Sequence, residues 1–507
     1  MTQARGAAPA LAALTGAATV FGFAPFGVAL LPVVTLSILF VLWRHAATPG
    51  AAAGVGFAFG LGMFGAGISW VYVALETFGG MPAAIAIAGT AGFIAYLSLW
   101  IALAGYVTTR FTPRDSLARL IAAAAAWTLA EWGRGFGYPG FPWLAVGYAQ
   151  LPGSSLAGYA PIGGVFVVSL SVALIAAMVA LSCDALAART YRWIVVAVMV
   201  ALALFAGGGA LAGIEWTLPQ RAPLAVSLVQ GNVEQAQKFD RDFRARTFDL
   251  YARLVEQSHG RLIVLPESAF PMFSDEVPDP VLLNLIRRAG ARNGDVLLGL
   301  FTAEAPLPGS DDIRYYNTVL SLGESDLQLY RKRHLVPFGE SIPGKAVFGW
   351  FIRSVLSIPL ADQTPGPAAQ PPFFVAGAHV AVNICYEDAF GAELIDAARN
   401  AEMLINVTND AWYGRSIAAW QHNQMASMRA LELGRPMLRA TNTGITSAIG
   451  HDGRVMAQLP WFTRGVLEVI IDGRTGATPY QSLGDTLALG LSLALLGATI
   501  GFARRRI

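Results

Sequence analysis

The chain has 507 residues, of which 55% are hydrophobic and only 13% are charged. Soluble domains contain about 25% charged residues, so this composition excludes an ordinary soluble protein and predicts an integral membrane protein. The net charge of +2 gives no reason to expect nucleic acid as a partner. Two cysteines, Cys183 and Cys385, cannot form a disulfide framework, and we expect both to be free thiols.

Apolar runs divide the chain into a membrane part and an extramembrane part. Runs long enough to cross about 30 Å of hydrocarbon occur at 7–23, 26–43, 51–75, 82–108, 117–133, 158–183, 191–213 and 484–502. The first run follows Arg5, but no small-residue cleavage site leads from it into a soluble domain, so we expect a retained helix. The predicted domains are a seven-helix membrane domain (1–215), an extramembrane domain (220–480) and an eighth membrane helix (484–502).

The distribution of basic residues predicts the orientation of these helices. Every second loop or terminus is basic, at Arg5, Arg44, Arg110, Arg114, Arg119, Arg189, Arg192 and Arg504 to Arg506. The alternate loops carry only Arg134, beside Glu76 and Glu131. The positive-inside rule therefore predicts cytoplasmic termini and a large domain on the outer side, the periplasm if this is a bacterial inner membrane. The predicted spans have almost no ionisable residues at mid-depth, which disfavours a transporter.

An outward-facing segment from Glu131 to Leu144 is rich in aromatic residues, glycine and proline. It is typical of an aromatic belt at the membrane interface. It is also compatible with a lipid-proximal wall beside the outer domain.

The section from 220 to 480 alternates predicted strands and helices. Strands are expected at 224–229, 261–265, 296–301, 315–322, 326–331, 379–385, 403–407, 437–450 and 465–471. Helices are expected at 239–257, 278–292, 390–400 and 417–433. This alternation predicts a layered α/β domain. The intervening stretch 336–372 is too long for a simple connection and is interpreted as a functional loop or lid.

Three polar residues each follow a predicted strand: Glu267, Lys332 and Cys385. Strand ends on one edge of an α/β sheet converge, so these residues can meet to form a site. Each also has a structural explanation taken singly. Cys385 could be an inert buried thiol, Lys332 part of a solvated basic face, and Glu267 a helix cap. Only their combination favours catalysis.

The combination resembles the nitrilase superfamily, in which Glu, Lys and Cys at three strand ends form the catalytic set. Together with the membrane spans, it resembles the apolipoprotein N-acyltransferase family of bacteria over essentially the whole chain. The matching motifs are Val229–Asn232, Leu265–Glu267, Tyr330–Lys332, His334–Glu340, Asn383–Glu387 and Asn406–Gly414. The chain departs from the family at Phe239, where a tryptophan is more usual, which puts any specific role of Phe239 in doubt.

The resemblance implies an αββα sandwich domain and a thioester mechanism. An acyl chain from a phospholipid would move to Cys385, and then to the α-amine of the N-terminal S-diacylglyceryl-cysteine of an apolipoprotein. Glu267 would act as the base. Lys332 would stabilise the oxyanion, helped by the backbone N–H of Tyr386. Glu340 and Glu387 would orient Lys332 or the amine. The expected substrate-binding residues are Val336, Phe338, Trp412, Phe239 and Trp143.

Two other interpretations stay open at this point. A membrane-tethered amidase or nitrilase-type hydrolase would use the same three residues with water as the acceptor. A receptor or transporter with an outer binding domain would not need Cys385. The histidines have no metal-ligand spacing and the chain has no Gly-rich phosphate cradle, so neither a metal nor a cofactor is expected. We expect a monomer, because one chain holds a complete site.

Overall fold

The computed structural model describes residues 2–138, 140–220, 222–238, 243–305, 313–341 and 362–504. The chain forms two compact units. The first comprises Met1–Tyr72, Ala84–Glu215 and Ser482–Ile507, and the second comprises Val73–Ala83 and Trp216–Gln481.

The first unit is helical. Its main helices are Thr2–Thr19, Leu31–His45, Pro49–Gly67, Ala83–Phe111, Leu117–Phe136, Ala160–Ala187, Tyr191–Ala212 and Thr486–Arg504. Among the described residues, four helical segments have the length and apolarity needed to cross a membrane: Pro49–Gly67, Ala83–Phe111, Ser155–Ala187 and Tyr191–Ala212. Shorter apolar segments are Ala7–Gly22, Leu31–His45 and Thr486–Phe502. Apolar helices of this kind make the chain a membrane protein.

Two sequence-based boundaries in this unit need correction. In the run predicted at 51–75 the long helix ends at Gly67, and the segment Val73–Ala83 belongs to the second unit. The sequence predicts Glu131 and Arg134 in a loop, but both lie in the last turns of the helix Leu117–Phe136. Both are buried. The helix can continue through Glu131 because its carboxylate accepts hydrogen bonds from Trp127 Nε1 and the Val146 N–H, both at 2.9 Å.

The second unit is an α/β domain built on two sheets. Its strands are β1 Thr217–Pro219, β2 Leu224–Gln230, β3 Leu262–Val264, β4 Asp295–Glu304, β5 Arg314–Gly323, β6 Leu329–Arg331, β7 Phe373–Val375, β8 Ala378–Ile384, β9 Met403–Thr408, β10 Met437–Thr441, β11 Ser447–Ile449, β12 Val455–Gln458, β13 Gly465–Ile471 and β14 Arg474–Gly476. One sheet has the order β13-β2-β3-β4-β5-β6 and the other β12-β11-β10-β9-β8-β7. A separate antiparallel pair joins β1 and β14.

Parallel central strands explain the apolar runs in the sequence. Strands β2, β3 and β4 are parallel neighbours, as are β8, β9 and β10. Strands covered on both faces are apolar along their length rather than alternating. The described helices of this domain are Gln235–Lys238, Arg244–Gln257, Asp279–Gly290, Gly391–Arg399, Ala418–Leu433 and Tyr480–Leu483.

The helix Arg244–Gln257 shows how a helix covers the first sheet. Its buried residues are Thr247, Leu250, Tyr251, Leu254 and Val255, a spacing that forms one apolar stripe. The predicted start of this helix, at 239–242, lies outside the described residues, and so does most of the predicted lid, at 342–361. The strand predicted at 437–450 is two antiparallel strands, β10 and β11.

Candidate active site

Cys385 lies at the point where strand β8 ends. The strand stops at Ile384, and Cys385 begins a short 3-10 turn that runs to Ala389. Cys385 is 5% exposed and has a φ of +54°, in the left-handed region that non-glycine residues rarely occupy. Such backbone strain is retained where surrounding contacts enforce it, and it clusters at functional sites.

Glu267 follows β3 in the other sheet and is also buried. Gly299 of the adjacent strand β4 lies against the turn that carries Glu267. A Cβ at Gly299 would lie 2.5 Å from the Pro266 carbonyl oxygen and 2.8 Å from the Ser268 nitrogen, so a side chain there would displace the turn. The Lys238 ammonium donates a hydrogen bond to the Glu267 carbonyl oxygen at 3.0 Å and holds the turn from the other side.

Lys332 follows β6, and its ammonium lies between two carboxylates. Its Nζ is 2.7 Å from Glu340 Oε1 and 3.5 Å from Glu267 Oε1. The Asn317 side chain donates to the same Glu267 oxygen at 2.7 Å. Lys332 is 1% exposed, so this is a desolvated charge that needs its partners.

Cys385 is electrostatically coupled to both Glu267 and Lys332. Burial and the Glu267 carboxylate raise the pKa of the Cys385 thiol well above its usual value, while the Lys332 ammonium opposes this shift. Burial lowers the pKa of Lys332, but Glu340, Glu267 and Cys385 outweigh it and raise the pKa above its ordinary value. At neutral pH the resting pair is therefore a thiol beside an ammonium. The prediction of a single sheet edge is corrected, since Glu267 and Lys332 come from one sheet and Cys385 from the other.

Glu387 ties the turn that carries Cys385 to the segment that carries Lys332. Its carboxylate accepts hydrogen bonds from the Ile384 N–H at 2.6 Å, the Tyr330 hydroxyl at 2.9 Å, the Arg333 N–H at 2.6 Å and the His334 N–H at 3.1 Å. Burial nevertheless raises the pKa of Glu387. Glu340 similarly accepts from the Val336 N–H at 2.8 Å. The Tyr386 ring packs against Phe390, with centroids 5.1 Å apart.

The predicted substrate-binding residues differ in their surroundings. Phe338 is 43% exposed, Val336 is half-buried, and Trp412 is half-buried with its ring 6.1 Å from that of Phe78 in the same unit. Trp143 lies in the first unit, where it is 1% exposed and stacked on Phe141 at 5.6 Å. Phe239 lies outside the described residues.

Sequence reasoning missed three polar residues that the fold adds to this site: Lys238, Asn317 and Asn406. Asn406 donates to the Cys385 carbonyl oxygen at 3.1 Å. It begins the Asn406–Gly414 motif, which could have identified it. Lys238 precedes Phe239 in a segment without strand periodicity, and Asn317 lies inside a strand, so nothing in the local sequence marks either one.

The architecture and the site have counterparts in known proteins. Residues 225–480 match the family model described as carbon-nitrogen hydrolase, which defines the second unit as a nitrilase-like domain. Residues 15–178 match the model described as the apolipoprotein N-acyltransferase N-terminal domain.

Similar proteins match the helical part and the α/β part of the chain in one alignment. The chain is 48% identical to the apolipoprotein N-acyltransferase of Nitrosomonas europaea, over 97% of each chain. It is 42% identical to that of Methylococcus capsulatus, over 98% of this chain and 96% of the relative. It is also 42% identical to that of Ralstonia nicotianae, over 100% and 95%. The chain belongs to the apolipoprotein N-acyltransferase family.

Proposed function

We propose that this protein transfers a fatty acyl chain from a phospholipid, through a thioester on Cys385, to an apolipoprotein. The acceptor is the α-amino group of the N-terminal S-diacylglyceryl-cysteine. The observation that carries the proposal is the buried Glu267, Lys332 and Cys385 site in a chain that matches acyltransferases over its full length. The matches to whole acyltransferases favour this function over a C–N hydrolase, because they include the apolar helices.

The first half-reaction forms the thioester. The raised pKa of Cys385 keeps the thiol protonated, so a base must act during the attack. Glu267 takes the thiol proton as Sγ attacks the ester carbonyl carbon. The Lys332 ammonium stabilises the negative oxygen of the tetrahedral intermediate, and the backbone N–H of Tyr386 assists. The intermediate collapses by breaking the carbon–oxygen ester bond, and the leaving lysophospholipid oxygen takes the proton from Glu267.

The second half-reaction uses the same catalytic groups, with the amine as the nucleophile and the Cys385 thiolate as the leaving group. The acceptor amine attacks the thioester carbonyl carbon, and Glu267 takes one amine proton. Lys332 again stabilises the oxyanion. The carbon–sulfur bond then breaks, and the Cys385 thiolate is protonated by Glu267, which restores the resting enzyme.

Supporting roles follow from the contacts of the remaining polar residues. Glu340 holds the Lys332 ammonium at 2.7 Å and keeps it from neutralising Glu267, which is 3.5 Å away. Glu387 holds the nucleophile turn against the Lys332 segment through four hydrogen bonds. Val336, Phe338, Trp412 and Phe239 are proposed to line the path of the acyl chain.

Both substrates carry acyl chains, which would lose roughly 0.8 kcal/mol per CH₂ on leaving lipid. A site carried by a membrane protein removes that cost. We therefore propose a membrane domain (1–215), a periplasmic catalytic domain (220–480) and a closing helix (484–502), with eight spans in a bacterial inner membrane and both termini in the cytoplasm. The alternating basic loops support this orientation. A monomer is sufficient, because every proposed catalytic group comes from one chain.

The test is mass spectrometry of the full-length protein after incubation with a synthetic phospholipid and no acceptor. The expected result is one acyl adduct on Cys385, and its transfer when a diacylated lipopeptide is added. Cys385→Ser serves as the matched control. Release of free fatty acid without transfer would support the hydrolase instead. Function that survives in Cys385→Ser would support a receptor or transporter.

A further inference from the structure

A second polar cluster lies next to the backbone of Cys385, and the proposed mechanism does not use it. Its members are Asp388, Asp410, His422 and Arg439. Asp388 belongs to the turn Cys385–Ala389, Asp410 to the turn Asp410–Tyr413, His422 to the helix Ala418–Leu433, and Arg439 to β10. All four side chains are at most 1% exposed. Four ionisable groups without water are stable only if their charges compensate.

The contacts of His422 determine its protonation state. Its Nδ1 lies 2.8 Å from Asp410 Oδ1, and its Nε2 lies 2.8 Å from Asp388 Oδ1 and 3.3 Å from the Cys385 carbonyl oxygen. These oxygens only accept hydrogen bonds. A neutral imidazole carries one N–H and would turn a lone pair toward one carboxylate, so the geometry favours an imidazolium with both nitrogens protonated.

The charges of the cluster balance in that state. Arg439 donates to Asp388 Oδ2 at 2.8 Å and lies 3.8 Å from Asp410 Oδ2. Two carboxylates therefore face one guanidinium and one imidazolium. Burial opposes the charge on His422, but Asp388 and Asp410 outweigh it and raise the pKa of His422 to about 9.

The cluster contacts the backbone of the nucleophile Cys385. His422 and Asn406 are two donors to the carbonyl oxygen of Cys385, the residue whose φ is +54°. His422 also holds Asp388, three residues further along the same turn. A second effect acts through charge, because the Asp410 carboxylate raises the pKa of the Cys385 thiol.

We propose that protonated His422 is a positioning residue for Cys385. It fixes the strained turn that presents the thiol, and it compensates the Asp410 carboxylate, which would otherwise disfavour the thiolate. The proposal rests on the proposed function in one respect only, that Cys385 is the acyl-carrying nucleophile. His422 touches neither substrate nor the reacting sulfur in this role.

The test variant is His422→Gln in the full-length protein, which retains a donor near the Nε2 position and removes the charge. Acylation of Cys385 by a synthetic phospholipid in micelles should slow by roughly tenfold to a hundredfold, the range for losing a charge-assisted contact. The phospholipid KM should stay unchanged. Alkylation of Cys385 by iodoacetamide, followed by peptide mapping, should slow in parallel. Cys183 is exposed, and its alkylation is the internal control.

Two further variants separate this role from simple support of the fold. Asp410→Asn added to His422→Gln restores charge balance and should recover part of the alkylation rate. Asp410→Asn alone should speed alkylation of Cys385, because it removes a charge that raises the pKa of the thiol. This single variant also keeps the test usable if His422→Gln does not fold. Asn423→Ala is the matched control, because Asn423 is a buried neighbour on the same helix that accepts from Ser447 at 2.7 Å.

The proposal is overturned if folded His422→Gln acylates and alkylates at the wild-type rate. It is also overturned if Asn423→Ala slows both reactions as much, or if neither Asp410 variant speeds alkylation. If the wild-type protein takes no acyl group from phospholipid, the proposed function fails instead. The alkylation rates still decide the positioning role in that case.

Discussion

Lys332 and Glu340 form the shorter of the two ion pairs that the Lys332 ammonium makes in the candidate site, with 2.7 Å between Nζ and Oε1. The same ammonium is 3.5 Å from Glu267. This difference in distance leaves the Glu267 carboxylate less neutralised by Lys332 than the Glu340 carboxylate is. Glu340 is therefore the nearer counter-ion of Lys332, and Glu267 the more distant one.

Glu340→Gln is expected to slow thioester formation by about tenfold to a hundredfold. Without its nearest partner, the Lys332 ammonium is free to pair with Glu267, which weakens the base. The measurement is the rate of acyl-enzyme formation by intact-protein mass spectrometry. Glu468→Gln is the control, because Glu468 pairs with Ser227 at 2.7 Å, outside the site. An unchanged rate in Glu340→Gln would rule out this role.

Glu267→Gln is expected to separate two properties of Cys385. Acyl transfer should fall by roughly 10²- to 10⁴-fold, the usual loss on removing a general base. Iodoacetamide alkylation of Cys385 should shift to lower pH, because the Glu267 carboxylate raises the pKa of the thiol and its removal lowers that pKa. Rates of both reactions across a pH series check the prediction. An alkylation profile that stays in place or moves to higher pH would contradict it.

Glu387→Gln is expected to destabilise the catalytic domain by about 2–4 kcal/mol, since an amide has one acceptor oxygen and would turn N–H groups toward backbone donors. The four hydrogen bonds to the carboxylate would not survive together. Tyr330→Phe is the matched control, because it removes only the hydroxyl donor at 2.9 Å and should cost about 1 kcal/mol. Chemical denaturation of both variants measures the difference. Equal losses would refute this account of Glu387.

Lys238 gives a prediction about stability and pH. Burial is the main cause that lowers its pKa from 10.5 to about 8. Between pH 8 and 10.5 the unfolded state binds more protons than the folded state, so this lysine makes stability rise with pH in that window. At pH 7 its buried charge costs about 3 kcal/mol, since one pKa unit is about 1.4 kcal/mol.

The corresponding variant is Lys238→Met, which keeps the length of the side chain and removes the charge. The free energy of unfolding of the wild type should increase relative to that of the variant as the pH rises from 8 to 10.5. Taking the difference between the two proteins cancels other titrating groups, including His422. Parallel pH profiles for the two proteins would disprove the assignment.

The apolar patterns of the sequence were sufficient to place elements that depend on local periodicity, but not element ends that depend on tertiary contacts. Strand β8 and the helix Ala418–Leu433 lie within one residue of their predicted positions, because a continuous apolar run and a helical period are local properties. Glu131 was misplaced for the opposite reason. Charge at a chain position predicts a loop, and only the three-dimensional partners Trp127 and Val146 allow a buried carboxylate inside a helix.

Composition and periodicity are enough to predict a membrane protein with an α/β domain, and residue type and strand-end position are enough to select Glu267, Lys332 and Cys385 as candidates. The three-dimensional fold was needed to see that these residues come from two sheets, that Lys332 lies nearer Glu340 than Glu267, and that His422 lies between two carboxylates beside the Cys385 backbone. Periodicity arises from local burial and is visible along the chain. Charge pairing depends on distances of about 3 Å between residues far apart in sequence, and folding alone sets those distances.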